Sequence, residues 1–107
     1  RIVNCYKYLK FEKREFVLSK QLLRSGTSIG ANIEESIGGQ SKADFISKLS
    51  IAYKEARETL YWLKLLFATE YLNNEMAESL IKDAEEICRI IGKIQITTKS
   101  NLGSKTT

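Results

Sequence analysis

The sequence predicts an all-α protein, an antiparallel up-down-up-down bundle of four helices, on three observations. Proline, the strongest helix breaker, is absent from all 107 residues. Apolar residues recur at steps of three and four in four separate blocks. The connections between blocks are short, which makes sequential neighbours antiparallel. The sequence has no strand alternation and no internal repeat. A chain of this length is one domain that buries roughly 65% of its unfolded surface. Its 43% apolar and 28% charged residues are those of a soluble globular protein.

The first helix is expected from Arg1 to about Lys10, with Ile2, Cys5, Tyr6 and Leu9 on one face. The chain opens on Arg1 rather than Met, and this short helix reads as one begun upstream. The run Phe11 to Arg14 forms a turn. The second helix is expected over Glu15 to Ile37. At about 100° per residue Leu22, Gly26, Ile29, Ile33 and Ile37 share a side, and Gly38-Gly39 ends it. Its stretch Gln21 to Glu35 keeps helical apolar spacing while carrying Ser25, Gly26, Thr27, Ser28 and Gly30, all poor helix formers. Each interior glycine costs about 1 kcal/mol relative to alanine, so close packing must hold the segment.

Ser41, with Asp44 three residues on, signals the start of the third helix as a variant of the capping box. That helix runs to about Ala68 with Phe45, Leu49, Ala52, Ala56, Leu60, Leu63 and Phe67 as its core stripe. The fourth opens at Asn73 or Asn74 and runs to about Thr98. Leu80, Ala84, Ile87, Ile91 and Ile94 give it a heptad-like seam. Residues 1–98 are thus the bundle domain, and 99–107 a polar, disordered tail.

Composition excludes much chemistry. Histidine is absent, which removes the commonest general base and metal ligand, the Ser-His and Cys-His nucleophile pairs and the Glu-x-x-His iron motif of ferritin-like bundles. The acidic pairs Glu34-Glu35 and Glu85-Glu86 diverge on a helix and read, with Glu55 and Glu58, as solvated faces. No glycine pair sits in a phosphate loop. The expectation is no enzyme, no cofactor and no metal. Cys5 and Cys88 read as buried, reduced thiols, and a disulfide between them would require the first and last helices to touch. No signal peptide is visible and no apolar run approaches the roughly 20 residues of a membrane span, so the expected location is the cytoplasm.

Three features carry the functional expectations. The first is charge. Residues 1 to 24 hold seven Lys/Arg and two Glu, a balance of +5 within a net +4. Lys10, Lys13, Arg14, Lys20 and Arg24 are the candidate phosphate contacts. The second is a polar ladder on the second helix, Gln21, Ser25, Ser28, Asn32 and Glu35. It reads as a surface for close helix approach with hydrogen-bond exchange, as ordinary surface, or as a ligand or nucleic-acid site. Asn32 is expected to be buried and hydrogen-bonded. The third is a surplus apolar stripe of Ile51, Trp62 and Leu65 on the third helix, away from its core side. It reads as a self-association surface, a surface for another protein, or a patch covered by a loop.

Ser28-Ile29, Ala31-Asn32-Ile33, Glu35, Gly38, Ser41, Phe45 and Leu49 together resemble the 23S rRNA-intervening-sequence proteins of bacteria. Ser41-Lys42-x-Asp44-Phe45, Lys54-Glu55-Ala56-x-Glu58-Thr59 and Tyr61-Trp62-Leu63 continue the likeness, which spans nearly the whole chain except the tail. The resemblance implies a left-handed four-helix bundle assembled into a homopentameric ring. Some members are encoded inside insertions in large-subunit ribosomal RNA genes. Distant relatives assist the reverse transcriptases of diversity-generating retroelements and bind nucleic acid. No enzymatic activity is established for the family. The chain departs from the pattern in having Gly30, Ser36 and Gly39 where many members carry Pro, Gly and Arg.

Two functions are therefore expected: a homo-oligomer that binds nucleic acid, RNA first and DNA second, or an assembly module with a protein partner and no nucleic acid. Neither involves a membrane.

Overall fold

In the computed structural model the chain forms four helices, α1 (Ile2–Phe11), α2 (Leu18–Ile37), α3 (Lys42–Ala68) and α4 (Asn74–Thr106). The structure describes residues 1–106, and the side chains of residues 1–101. The described residues contain no strand. The tail expected over 99–107 lies mostly outside the described side chains, and Lys99, Ser100 and Asn101 continue α4 as helix.

Each helix start has a local cause. Ser41 adopts extended backbone and its side-chain oxygen accepts from Asp44 N at 3.1 Å, the expected cap of α3. Asn73 does the same for α4, its Oδ1 accepting from Met76 N at 2.8 Å. At α2 the expectation fails. Glu15 is not the first helical residue but the anion seated on the helix start. Its Oε1 accepts from Val17 N and Leu18 N at 3.1 and 2.9 Å, and its Oε2 from Ser19 N at 2.6 Å. The helix therefore begins at Leu18, since a carboxylate is stabilised by the exposed N–H groups and the positive end of the helix dipole.

Side-chain pairs fix how neighbours lie. Arg24 of α2 meets Glu55 and Glu58 of α3, while farther along α2 Glu35 meets Lys48, earlier in α3, at 3.0 Å. Between α3 and α4, Gln95 Nε2 donates to Ser50 Oγ at 2.9 Å. The start of α1 is tied to α4 through Arg1, whose guanidinium pairs with Asp83 and donates to Ser79 Oγ.

The core divides into two layers. The first draws on all four helices: Cys5 and Leu9 from α1, Leu22 from α2, Leu60, Leu63 and Leu66 from α3, and Ala77, Leu80 and Ala84 from α4, with Leu72 from the preceding turn. The second draws on three: Ile29, Leu49, Ala52, Ala56, Cys88 and Ile91. No residue of α1 (Ile2–Phe11) belongs to this second layer.

This layering corrects several expected core positions. Leu66 is buried in α3 where Phe67 was expected, and Phe67 is exposed. Within the buried set, Leu49, Ala52, Ala56, Thr59, Leu63 and Leu66 alternate steps of three and four, with Leu60 buried beside Thr59, the spacing of a supercoiled seam. The expected stripe drifted off that seam by taking Phe67. In α4 Cys88 replaces Ile87 in the core, continuing the row Leu80, Ala84, Cys88 and Ile91, and Ile87 and Ile94 are partly exposed. Ile37 ends α2 beyond the second layer and is 72% exposed.

Candidate functional site

The polar ladder of α2 divides between a seam and the surface. Ser25 is fully buried and faces α3, where its hydroxyl and that of Thr59 are hydrogen-bonded at 3.0 Å. Thr59 Oγ1 also donates to Glu55 O at 2.8 Å, and Ser25 Oγ lies 3.3 Å from Leu22 O. Small side chains here allow close approach, and among the described residues no buried side-chain polar atom lacks a partner. Ser28 and Asn32 are half-buried. Asn32 is hydrogen-bonded as expected, Nδ2 to Ser28 O at 2.8 Å, but it bonds within its own helix and is not fully buried. Gln21 and Glu35 are exposed, Gln21 bonding Arg24 and Glu35 pairing with Lys48.

Gly26 marks a second close approach, to α1. A methyl group built there would stand 2.6 Å from Ile2 Cγ2, so Ile2 would have to shift to admit one. One turn on, the same test at Gly30 meets nothing within 4 Å. Gly30 instead lines an open apolar groove of about 430 Å³ with Ile29, Ile33, Ile87 and Leu80, to which Arg1 and Ile2 also contribute. The groove was not foreseen.

The α1–α2 turn carries the candidate phosphate contacts, and the structure sorts them. Arg24 is neutralised by Glu55 and Glu58. Lys10 is half-buried, its Nζ 5.5 Å from the Phe11 ring centroid and 5.8 Å from that of Tyr6. Lys13, Arg14 and Lys20 are exposed, and among the described residues no carboxylate pairs with them. Of the two acids beside them in the chain, Glu12 is exposed and Glu15 is withdrawn from this surface. Burial raises the affinity of its carboxyl for a proton, but the Leu18, Ser19 and Val17 N–H groups, helped by the Ser19 side chain, outweigh that and hold it below the usual carboxylate range. The turn is braced by Glu12 N to Tyr8 O and Glu15 N to Leu9 O, both at 2.9 Å, with Arg14 at φ 54°. Sequence reasoning missed the exposed Phe11, Phe16 and Val17 beside these cations. Their lack of helical partners in the chain was the available signal.

The α3 stripe is only partly open. Ile51 is exposed, whereas Trp62 and Leu65 are half-buried. Trp62 packs on the first core layer, its Nε1 donating to Glu58 Oε2 at 3.3 Å and its ring edge-on to Tyr61. Cys5 and Cys88 are both free and buried. Burial pushes the Cys5 thiol up to about 11 against the opposing pull of Arg1 and the N-terminal amine, and raises Cys88 against Arg57. Among the described residues no cluster of three His, Cys, Asp or Glu could hold a metal ion, and no helix is long and apolar enough to cross a membrane.

Comparison with known proteins identifies the architecture. The profile of the 23S rRNA-intervening sequence proteins matches residues 1–93. The chain belongs to that family. Among solved structures it is similar to a protein of unknown function from the S23 ribosomal protein family of Bacteroides thetaiotaomicron. The two are 59% identical, the match covers 89% of this chain and 85% of that one, and the TM-score is 0.87. No curated protein matches the chain. Membership in the 23S rRNA-intervening sequence family fits the residues that resembled it, Ser28 to Glu35 and Ser41 to Leu49, which here build the α2–α3 seam and its cap.

Proposed function

We propose that this protein is a non-enzymatic, homo-oligomeric bundle of the bacterial cytoplasm that associates with nucleic acid, RNA foremost. The observation that carries the reading is the unneutralised basic turn, Lys13, Arg14 and Lys20 with Lys10 beside them. Lys and Arg with no internal partner favour a polyanion, and an oligomer multiplies their effect. The up-down-up-down arrangement is supported by the pairings along α2 and α3, and a left-handed supercoil by the three-four alternation of the α3 core. Filter binding of an RNA at 50 and 200 mM salt tests the reading. Four phosphate contacts to a single strand predict a loss of about 50-fold over that range. Binding that is absent, insensitive to salt, or unchanged by Lys13→Ala with Arg14→Ala overturns it.

The surface proposed for self-association includes the exposed Ile51. A charge there, Ile51→Glu, is expected to lower the mass seen in light scattering while the helical content stays. An unchanged mass removes that face from the assembly surface. Were the assembly to persist with no nucleic acid bound, the protein would be a scaffold module.

A further inference from the structure

We infer that the α1–α2 turn binds single-stranded nucleic acid by stacking unpaired bases on Phe11 and Phe16, with the phosphates held by Lys13, Arg14 and Lys20. The inference rests on the proposed nucleic-acid role and names the form of the ligand. Phe11 is 67% exposed, Phe16 46% and Val17 72%; Lys13 and Arg14 stand on the same turn and Lys20 in the first turn of α2, and among the described residues no carboxylate pairs with them. Exposed phenyl rings are unfavourable in water, and along the chain they bracket two of the cations, Phe11 standing before Lys13 and Arg14 and Phe16 just after them. A polyanion whose repeating unit carries a flat π surface matches both components. Base stacking on aromatic side chains requires bases released from a duplex, so the site discriminates by strand state rather than by sequence.

The platform is organised before any ligand arrives. The turn's backbone is tied to Tyr8 O and Leu9 O, and Glu15 anchors its far side on the N–H groups of α2. The same contact turns the Glu15 charge inward, leaving Glu12 as the acid exposed on the turn. Lys10 Nζ, 5.5 Å from the Phe11 centroid, puts a positive charge at the ring, and such a charge also attracts a phosphate beside a stacked base.

The test is fluorescence anisotropy with the full chain and three labelled probes: a 12-nucleotide oligo(U) RNA, an oligo(dT) DNA of the same length, and a duplex of the same length. Vesicles containing phosphatidylserine are a fourth ligand. Single strands of either sugar are expected to bind more tightly than the duplex. Phe11→Leu and Phe16→Leu should each weaken single-strand binding about tenfold and leave duplex binding unchanged, whereas Phe11→Trp restores it. Both positions are exposed, so the variants keep the fold, which circular dichroism verifies. Equal binding of single strand and duplex, with the leucine variants binding like the parent, overturns stacking but leaves the nucleic-acid role standing. Absence of binding to all three probes ends both readings. Binding to vesicles that survives Phe→Leu, with no preference for single strands, overturns the inference in favour of a membrane surface.

Discussion

Gly26 and Gly30, one turn apart on α2, should respond in different ways to the same substitution. A Cβ on Gly30 meets no atom within 4 Å, so Gly30→Ala gains the helix-propensity difference of about 1 kcal/mol. A Cβ on Gly26 would stand 2.6 Å from Ile2 Cγ2, 3.0 Å from Cγ1 and 3.2 Å from Cβ. Because the Ile2 Cβ is among these, rotating the side chain does not clear the site, and the first turn of α1 has to move. Overpacking of this kind costs about 1–3 kcal/mol, which cancels or exceeds the propensity gain. Gly26→Ala is therefore expected to be between neutral and about 2 kcal/mol destabilising, and Gly30→Ala stabilising. For a domain of this size 1 kcal/mol moves Tm by about 4–8 °C. Thermal and urea unfolding followed by circular dichroism measure both. In an Ile2→Ala background the penalty at Gly26 should largely vanish, a coupling that a double-mutant cycle reads directly. Equal shifts from the two glycine substitutions, or no coupling between Gly26 and Ile2, would refute the argument that α1 seats on Gly26.

Two further outcomes follow from buried groups. Glu15→Gln should destabilise the fold by about 1–2 kcal/mol at neutral pH, since a neutral amide holds the α2 N–H groups less well. The Glu15 carboxyl is held below its ordinary value in the folded chain, so its contribution is present above the unfolded value and is lost as pH falls through the folded one. The parent should thus lose stability faster than the Gln variant on entering the acid range below ordinary glutamate titration, and parallel stability curves there would contradict this. Cys5, raised to about 11 by burial, and Cys88, raised by the same cause, stay protonated at neutral pH. An aromatic disulfide reagent should label neither in the folded protein and both in urea, while rapid native labelling would show that the core is open.

The fold was largely legible because its determinants are local. Ser41 and Asp44 announced the α3 cap, the residues around Gly38 announced the end of α2, and the small residues near Ser25 announced a close seam. What escaped prediction depends on distant parts of the chain. Glu15 reads as a helical residue until its carboxylate is seen on three backbone N–H groups. Arg24 reads as a free cation until α3 brings Glu55 and Glu58 beside it. Ile87 has ideal spacing for a core seat and loses it to Cys88, which lies on the side of α4 that meets Ile29, Ala52 and Ala56. Phe16 was passed over because periodicity has nothing to say where no helix runs, and Phe11 because it ends α1, one residue beyond the expected helix.

The change from a leucine-rich first layer to a second layer built around Ala52, Ala56 and Cys88 implies a gradient of cohesion along the rod. Around Leu9, Leu22 and Leu63 the side chains are large and wholly buried, whereas those of Ala52, Ala56 and Cys88 are smaller and each removes less apolar surface from water. Local opening should therefore begin at the far end and travel inward, with deuterium entering residues 30–50 and 85–101 well before it reaches the leucines beside α1. The molecule would loosen like a clasp fastened at one end, leaving the basic turn on the part that gives way last.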